Sequence, residues 1–402
     1  MNSPRPPIWW SNAIFFLSVH VAASIGLYLF PPAAVPRPTL ILAYVMWQLA
    51  EFGITIGYHR LWSHRAFRAS FGVRVTLAVF GSVGFQGSIK WWCLRHRLHH
   101  RFTDDPIHDP YAATRGLLYS HVGWIFTKPV YQKLELVDRE DLDRDPVVRF
   151  QHRYYIPLAL FFGFILPPFI GALWGDAIGA FVWAGLIARL AVWHCTFFVN
   201  SLAHWNGLQP FSDEDTSRGN LLLAVLTSGE GSHNFVNVTF KHAFPHDYRS
   251  GPSLISWDPS KIVIFLLHSM GLVTGLRRAR GIDIQEALAY MDHKSLHGVP
   301  PRDDEEDNEK CTWTVEEVKL YVRKQPGRCI VLVNGWIVDV TAYLSEHPGG
   351  ASILRQYALT LEADETRDPK WRDAYWAFHG GLNNHSRAAT RRMKELRIAK
   401  LL

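Results

Sequence analysis

Cysteine is scarce in this chain: four among 402 residues, at Cys93, Cys195, Cys311 and Cys329, with no CxxC pair and no regular spacing. Neither a zinc ribbon nor a disulfide framework is indicated, and the usage suits a protein facing a reducing compartment. Charge is also in short supply. Asp, Glu, Lys and Arg make 19% of the residues, against about a quarter in ordinary soluble domains. The balance is only +6, which fits an anionic membrane surface or anionic substrate as readily as an ordinary mixed surface. No nucleic-acid partner is expected. There is no internal repeat. A cleavable signal peptide is also missing, since the first apolar run ends LFPPAAVPRP, a poor small-residue cleavage site.

Apolar length is what the chain has instead. Runs over about 12–30, 39–57, 154–174 and 177–199 are each long enough to cross a bilayer, which takes roughly twenty residues. PPAAVPRP joins the first two, and little more than Gly175 and Asp176 joins the last two, so they pair as two helical hairpins. The segment from Tyr58 to Arg153 and everything after Asn200 are rich in Arg, Lys and His. By the positive-inside rule both termini and the long loop face the cytosol, and the short turns face the lumen. A chain of this length is expected to hold two folding units. WDPSKIVIFLLHSMGLVTGL reads as a helix in the membrane interface. A basic cluster at Arg277, Arg278 and Arg280 follows, then the charged, proline-led PPRDDEEDNEK, which reads as a flexible linker. We therefore expect a membrane domain over 1–280, a linker over 281–310 and a small soluble domain over 311–402.

Histidine supplies the chemistry. His96, His99 and His100 stand at i, i+3 and i+4, on one helix face. A row of imidazoles is a costly cover for an apolar face and a natural holder of a first-row metal. His59 and His64 are five apart, roughly 140° around an ideal α-helix, so they converge only if the helix ends or bends between them. Asn200 and His204 follow at i and i+4, and His233 stands in GEGSHN. These exceed what one metal ion needs, so a two-metal site is the economical reading, and imidazoles without thiolates favour iron for oxygen chemistry.

GITIGYHRLWSHRAF, KWWCLRHRLHHRF, DPYAATRGLLYSHVGW, NSLAHWNG and GEGSHNF together resemble the membrane-bound acyl-CoA Δ9 desaturases, over about residues 40–275. The resemblance implies a mainly α fold of four transmembrane helices under a cytosolic helical cap. It also implies a di-iron centre held by His59, His64, His96, His99, His100, His204, His233 and His242, with Asn200 assisting through a water. A narrow tunnel would hold the acyl chain bent. Lys90, Arg95, Arg115 and Lys128 are candidates for binding the anionic CoA group, against the plainer reading of positive-inside charge. Trp91 and Trp92 either wall the tunnel or form an interfacial belt, and Trp47 and Tyr44 are candidates for setting tunnel length.

From Thr312 the chain shows a strand pattern, CIVLVNGWIVDV, then SEHPGG and NNHSRAA. HPGG resembles the haem-ligand signature of cytochrome b5, over roughly 311–402, which implies a small α+β domain holding haem b. Gly349 and Gly350 let the backbone turn beside His347. The resemblance gives His385 as the second axial ligand, with His379 in FHGG as the rival. A b5-like domain behind the desaturase is the fungal arrangement; desaturases acting nearer the carboxyl end usually carry it in front.

The third histidine box departs from the family pattern. There HNFHH runs straight into FP and DYR; here HNF is followed by VNVTFK before HAFPHDYR. Aligning both ends puts Lys241 where a histidine is expected, and His242 reaches the site only if VNVTF loops out. Three readings stand: a translated scrap of an imperfect gene model, a real variant with weakened iron affinity, or substitution by Asn237 or His246.

The expectation is a desaturase of the endoplasmic reticulum membrane that acts on long-chain saturated acyl-CoA with O2. Electrons would come from an NADH-dependent cytochrome b5 reductase through its own haem domain, and membrane lipid would surround it. The alternatives are a di-iron lipid hydroxylase and a haem protein whose iron site has decayed. Tags at Asn2 and after Leu402 should both be cytosolic, and a glycosylation acceptor in a lengthened PPAAVPRP turn should be modified in the lumen. A luminal C-terminus would contradict the four-span topology.

Overall fold

A computed structural model describes residues 7–241, 247–252, 257–301, 311–347, 349–359, 373–380 and 385–402. Two compact units emerge, one holding 1–209, 215–236 and 247–278, the other 210–214, 237–246 and 279–402. Each is described on its own.

In the larger unit four helices are long and apolar enough to cross a membrane: Trp10–Leu29, Arg37–Ser63, Tyr155–Ala172 and Ala177–His204. The second and fourth overrun the boundaries expected from hydropathy, since each continues into its polar, histidine-bearing end. Those polar ends are buried rather than lost to solvent: His59, Arg60, His64, Ser201 and His204 are all below 7% exposed. Both short turns are tied at one end of the hairpins. Asp176 caps the fourth span by accepting from the Gly179 N–H at 3.0 Å. It also accepts from Thr39 Oγ1 at 2.5 Å, and Thr39 in turn accepts from Trp174 Nε1 at 3.0 Å.

The second span changes winding as it leaves the apolar region. Gly53–Ser63 is π-helical, and the His64 N–H donates to the His59 carbonyl at 2.9 Å. An i→i+5 bond stacks residues five apart, so the spacing that would diverge on an α-helix brings His59 and His64 onto one face. The backbone then turns sharply at Arg65, which has a φ of +54°. A short antiparallel pair, β1 (Arg68–Ala69) with β2 (Val273–Thr274), closes the cap behind it. Helices Phe71–Val83, Ile89–Arg101, Pro146–Arg153 and Pro259–Ser269 build the rest of the cap. Tyr58, Leu61, Trp62, Leu77, Ile89, Leu98, Leu142 and Ile264 form its core.

The smaller unit carries a four-stranded sheet in the order β3 (Thr312–Trp313), β6 (Arg397–Leu401), β5 (Trp336–Asp339), β4 (Ile330–Val333), with only the β3–β6 pair parallel. Asn334 and Gly335, at φ +52° and +73°, make the two-residue hairpin between β4 and β5; Asn-Gly is the favoured pair for such a turn. One sheet face packs Val331, Val333, Trp336 and Val338 against Tyr357, Ala377 and Met393. The stretch 281–310, expected as a linker, begins instead with a 17-residue helix, Gly281–His297. The end signals were there to read: Asp283 in the first turn, Lys294 and His297 in the last, and Gly298 as a left-handed cap at φ +73°. Residues 302–310 lie outside the described residues, as do His242 and His246.

The second span packs tightly against Phe71–Val83. A Cβ on Gly53 would sit 2.2 Å from the Gly81 nitrogen, and one on Gly81 would sit 2.2 Å from the Tyr58 ring. Neither neighbour is the flexible end of a side chain. Gly53→Ala should therefore cost about 1–3 kcal/mol or more by overpacking, measured as a lowered melting temperature of the purified protein in detergent. An unchanged melting temperature would show that the two helices separate freely there.

Candidate metal centres and their cavity

Seven buried imidazoles gather in two groups. His59, His64, His96 and His100 offer ligand atoms all within 4.8 Å of one another, and so do His99, His204 and His233. In the first group His64 Nε2 lies 2.8 Å from His59 Nε2 and 3.0 Å from His96 Nε2, and His100 Nε2 lies 2.9 Å from His96 Nε2. In the second, His204 Nε2 lies 3.1 Å from His233 Nε2. Helix Ile89–Arg101 serves both, because residues three and four apart share a face: His96 and His100 turn to one group and His99 to the other.

Two of the other ring nitrogens are held by acceptors. His99 Nδ1 donates to Asp109 Oδ1 at 2.8 Å, and His204 Nδ1 donates to Thr216 Oγ1 at 2.9 Å. Thr216 in turn donates to Asp104 at 2.8 Å. His59 Nδ1 stands 3.2 Å from Glu230 Oε1, at ion-pair distance though off the hydrogen-bond line. An acceptor at Nδ1 places the proton there and leaves the Nε2 lone pair for a metal. Burial first, and then the neighbouring imidazoles, press His96, His100 and His233 well below the usual histidine range. Each is thus a neutral ring ready to ligate. Burial alone would raise the Glu230 carboxyl, but His59 and Arg60 outweigh it and bring it to about 2.

Two arginines that the sequence reading passed over lock these elements together. Arg60 donates to Glu230 at 3.0 and 3.1 Å, to Asp258 at 3.1 Å and to the Tyr248 carbonyl at 2.9 Å. Arg97 reaches the Ser63 and Trp62 carbonyls and both oxygens of Asp141. Arg60 sits inside HRLWSH, Glu230 three residues before His233, and Asp109 in DDPIHDP. A search for acidic partners beside each box would have found the carboxylates.

The third box runs on as a helix, so VNVTF does not loop out, which is the condition for His242 to reach the site. His233–Lys241 is one continuous element, since an apolar run without turn residues extends a helix as easily as a strand. Val236 and Asn237 take the i+3 and i+4 places after His233. Asn237 is fully buried, and neither its amide nitrogen nor its oxygen finds a hydrogen bond among the described residues.

A cavity of about 500 Å3 opens beside these rings, with His59, His96, Asn200 and Glu230 among its walls. Trp91, Trp92 and Arg95 line it; Lys90, Arg115 and Lys128 do not. Lys90 pairs with Asp143 at 2.5 Å, and Arg115 and Lys128 are exposed. Arg95 is buried, its guanidinium 3.6 Å over the Trp91 ring and 4.6 Å from that of Trp124. Its Nε and Nη1 make no hydrogen bond among the described residues. Neither Tyr44, which is 60% exposed, nor Trp47 lines the cavity. Gln86 bridges two walls instead, donating to Thr196 Oγ1 at 2.8 Å and accepting from Trp92 Nε1 at 3.3 Å. Apolar walls come from Phe15, Phe16, Trp193 and Phe197.

In the smaller unit His347 and His385 face each other at 6.3 Å between ring centroids, with 30° between planes. Their Nδ1 atoms engage the Gly350 and Phe378 carbonyls at 3.1 and 2.8 Å. With the proton on Nδ1, Nε2 is the nitrogen that would ligate, and the ring separation fits haem held from both faces. Gly349 has no room for a side chain, since a Cβ there would stand 2.9 Å from the His347 ring. His379 packs on Tyr375 and Phe378 instead.

The fatty acid desaturase family model matches residues 29–234, and the cytochrome b5-like haem/steroid binding domain matches 314–360. A probable acyl-CoA desaturase of Schizosaccharomyces pombe is 36% identical over 97% of this chain and 77% of its own length. Acyl-CoA desaturase 1 of Saccharomyces cerevisiae is 35% identical over 99% of this chain and 75% of its own. A Δ9-fatty-acid desaturase of Caenorhabditis elegans, fat-5, is 36% identical over 66% of this chain and 79% of its own. With its histidine boxes in two buried groups and a b5-like unit behind them, the chain belongs to the fatty acid desaturase family.

Proposed function

We propose that the chain is an acyl-CoA Δ9 desaturase that draws electrons through its own b5-like unit. The observation that carries this is the pair of buried imidazole groups beside a mostly apolar cavity. Iron, when held by the two groups, would supply dioxygen activation, and haem, when held by His347 and His385, would supply electrons singly. The overall reaction removes hydrogen from two neighbouring carbons and leaves a cis double bond and water.

The chain's own residues do the selecting. Neighbouring methylenes of an alkyl chain are chemically almost identical, so position decides which is attacked. Trp91 and Trp92 form the wall beside His96, and Trp92 stacks on that ring at 4.7 Å. The Gln86 bridge holds Trp92 against the fourth span. Arg95, buried with unused N–H groups on the cavity wall, is the cation for the polar end of the acyl-CoA. Lys90 and Arg115, outside the cavity, are assigned to surface charge. Glu230 and Asp109 keep the protons of His59 and His99 on Nδ1. Asn200, on the cavity wall, acts through a water. One turn after His233 on the same helix, the unbonded Asn237 amide is the donor offered beside that imidazole. An NADH-dependent b5 reductase supplies the electrons, and the endoplasmic reticulum membrane, with the site on its cytosolic side, is the location.

In a yeast strain lacking its own Δ9 desaturase, the chain should restore growth without added unsaturated fatty acid, and its products should carry a cis bond at carbon 9. His347→Ala and His385→Ala should each abolish the haem absorbance and the growth, while His379→Ala keeps both. Asn237→Ala should lose product, whereas Asn237→His retains it. Growth rescue by a chain lacking both His347 and His385 would overturn the self-supplied electron route. Products oxygenated at carbon without a double bond would favour the hydroxylase alternative.

A further inference from the structure

The second span carries one polar stripe, of which Glu51, Thr55 and His59 line the cavity. Gln48, Glu51, Thr55 and His59 follow at three- and four-residue steps, the spacing of a helix face. Its neighbours on the stripe are satisfied: Gln48 Nε2 donates to Ser228 Oγ at 2.7 Å, and Thr55 Oγ1 donates to the Thr227 carbonyl at 3.0 Å. Glu51, between them, is 1% exposed and lines the cavity. Its Oε1 has no hydrogen bond among the described residues, and neither has the buried Trp47 Nε1 one turn earlier. Trp47 and Cys195 are the polar side chains nearest its carboxyl, with the Trp47 N–H off the hydrogen-bond line. Glu51 lies eight residues before His59, about two turns deeper in the membrane unit.

A saturated alkyl chain offers such a carboxyl nothing. An unpartnered buried polar group weakens binding by roughly tenfold or more, and an ionisable side chain within a span is a functional site by default. Ala, Leu or Val would line an alkyl slot without that penalty. We propose that Glu51 makes a hydrogen-bonding subsite in the deep wall of the cavity, one that takes an O–H group beyond the reacting carbons. That group comes from a hydroxyl carried on the acyl chain, or from a water kept past the chain's end. In either case a plain chain long enough to cover Glu51 is disfavoured. The inference rests on the acyl-CoA reading of the cavity.

The test measures dissociation constants of the full, haem-loaded protein for saturated acyl-CoAs of increasing length, with and without a hydroxyl near the chain end. Wild type is compared with Glu51→Gln, which keeps a donor and an acceptor, and with Glu51→Leu and Glu51→Met, which keep neither. Leu or Met should tighten the longest plain chains about tenfold relative to the shorter ones, and Gln should keep the wild-type order. If the source is a hydroxyl on the chain, wild type prefers the hydroxylated chain by about tenfold, and Leu and Met lose that preference. If the source is water, wild type shows no such preference while the length shift remains. An unchanged length order in the Leu and Met variants would overturn the proposal, as would a Gln variant that shifts as they do. Turnover is read separately: wild type that binds the series but forms no double bond fails the desaturase reading and leaves the binding order to judge Glu51.

Discussion

The Arg60 guanidinium lies buried between Glu230 and Asp258, and three pieces of the site hang on it. Through its own helix it fixes His59, one residue away. Through Glu230 it fixes the segment leading into His233 and holds the carboxylate beside His59 Nδ1. Through Asp258, which also caps helix Pro259–Ser269 and accepts from the Ser250 N–H, it draws the cap over the rings. A buried charge of this kind gives little net stability while intact, yet losing one partner costs about 3–5 kcal/mol because the others are left uncompensated. The geometry it enforces is what neutral imidazoles need in order to converge without water between them.

Around that clamp the fold divides its labour. Helix Ile89–Arg101 delivers rings to both groups from a single face, so the separation of the two candidate metals follows from helix geometry rather than from loops. Asp109, and Thr216 backed by Asp104, orient the second group. The cavity then leads away from the rings between aromatic walls, with Gln86 pinning Trp92 to the fourth span. In the smaller unit the same logic recurs with two imidazoles: backbone carbonyls take the Nδ1 protons of His347 and His385. A haem held by both imidazoles would have no position open for oxygen, which suits electron transfer.

Much of this was legible in the residues. Apolar length gave four spans, and i, i+3, i+4 spacing put His96, His99 and His100 on one face. What escaped did so for physical reasons. The ends of the second and fourth spans were placed short because hydropathy falls at His and Arg, even when those side chains are buried. His59 and His64 looked divergent because their five-residue spacing fits π-winding, which sequence periodicity does not announce. VNVTF lacks turn residues and is apolar, a pattern that permits the helix that is there as readily as a strand. Helix Gly281–His297 was hidden by its polar surface despite clear signals at both ends. Glu51 was one acid in an apolar window, and only its position on the cavity wall gives it meaning. Of the substrate-binding candidates, Trp91, Trp92 and Arg95 line the cavity, whereas Lys90 and Arg115 carry charge outside it.

The central claim is that the buried imidazole groups hold metal although the third box contributes His233 alone among the described residues. Metal content of the purified, haem-loaded protein tests it most directly, by elemental analysis against haem absorbance. Groups of four and three imidazoles call for about two non-haem iron ions per haem, one to each group. Iron equal to haem alone would contradict the account and leave a membrane haem protein with a decayed site.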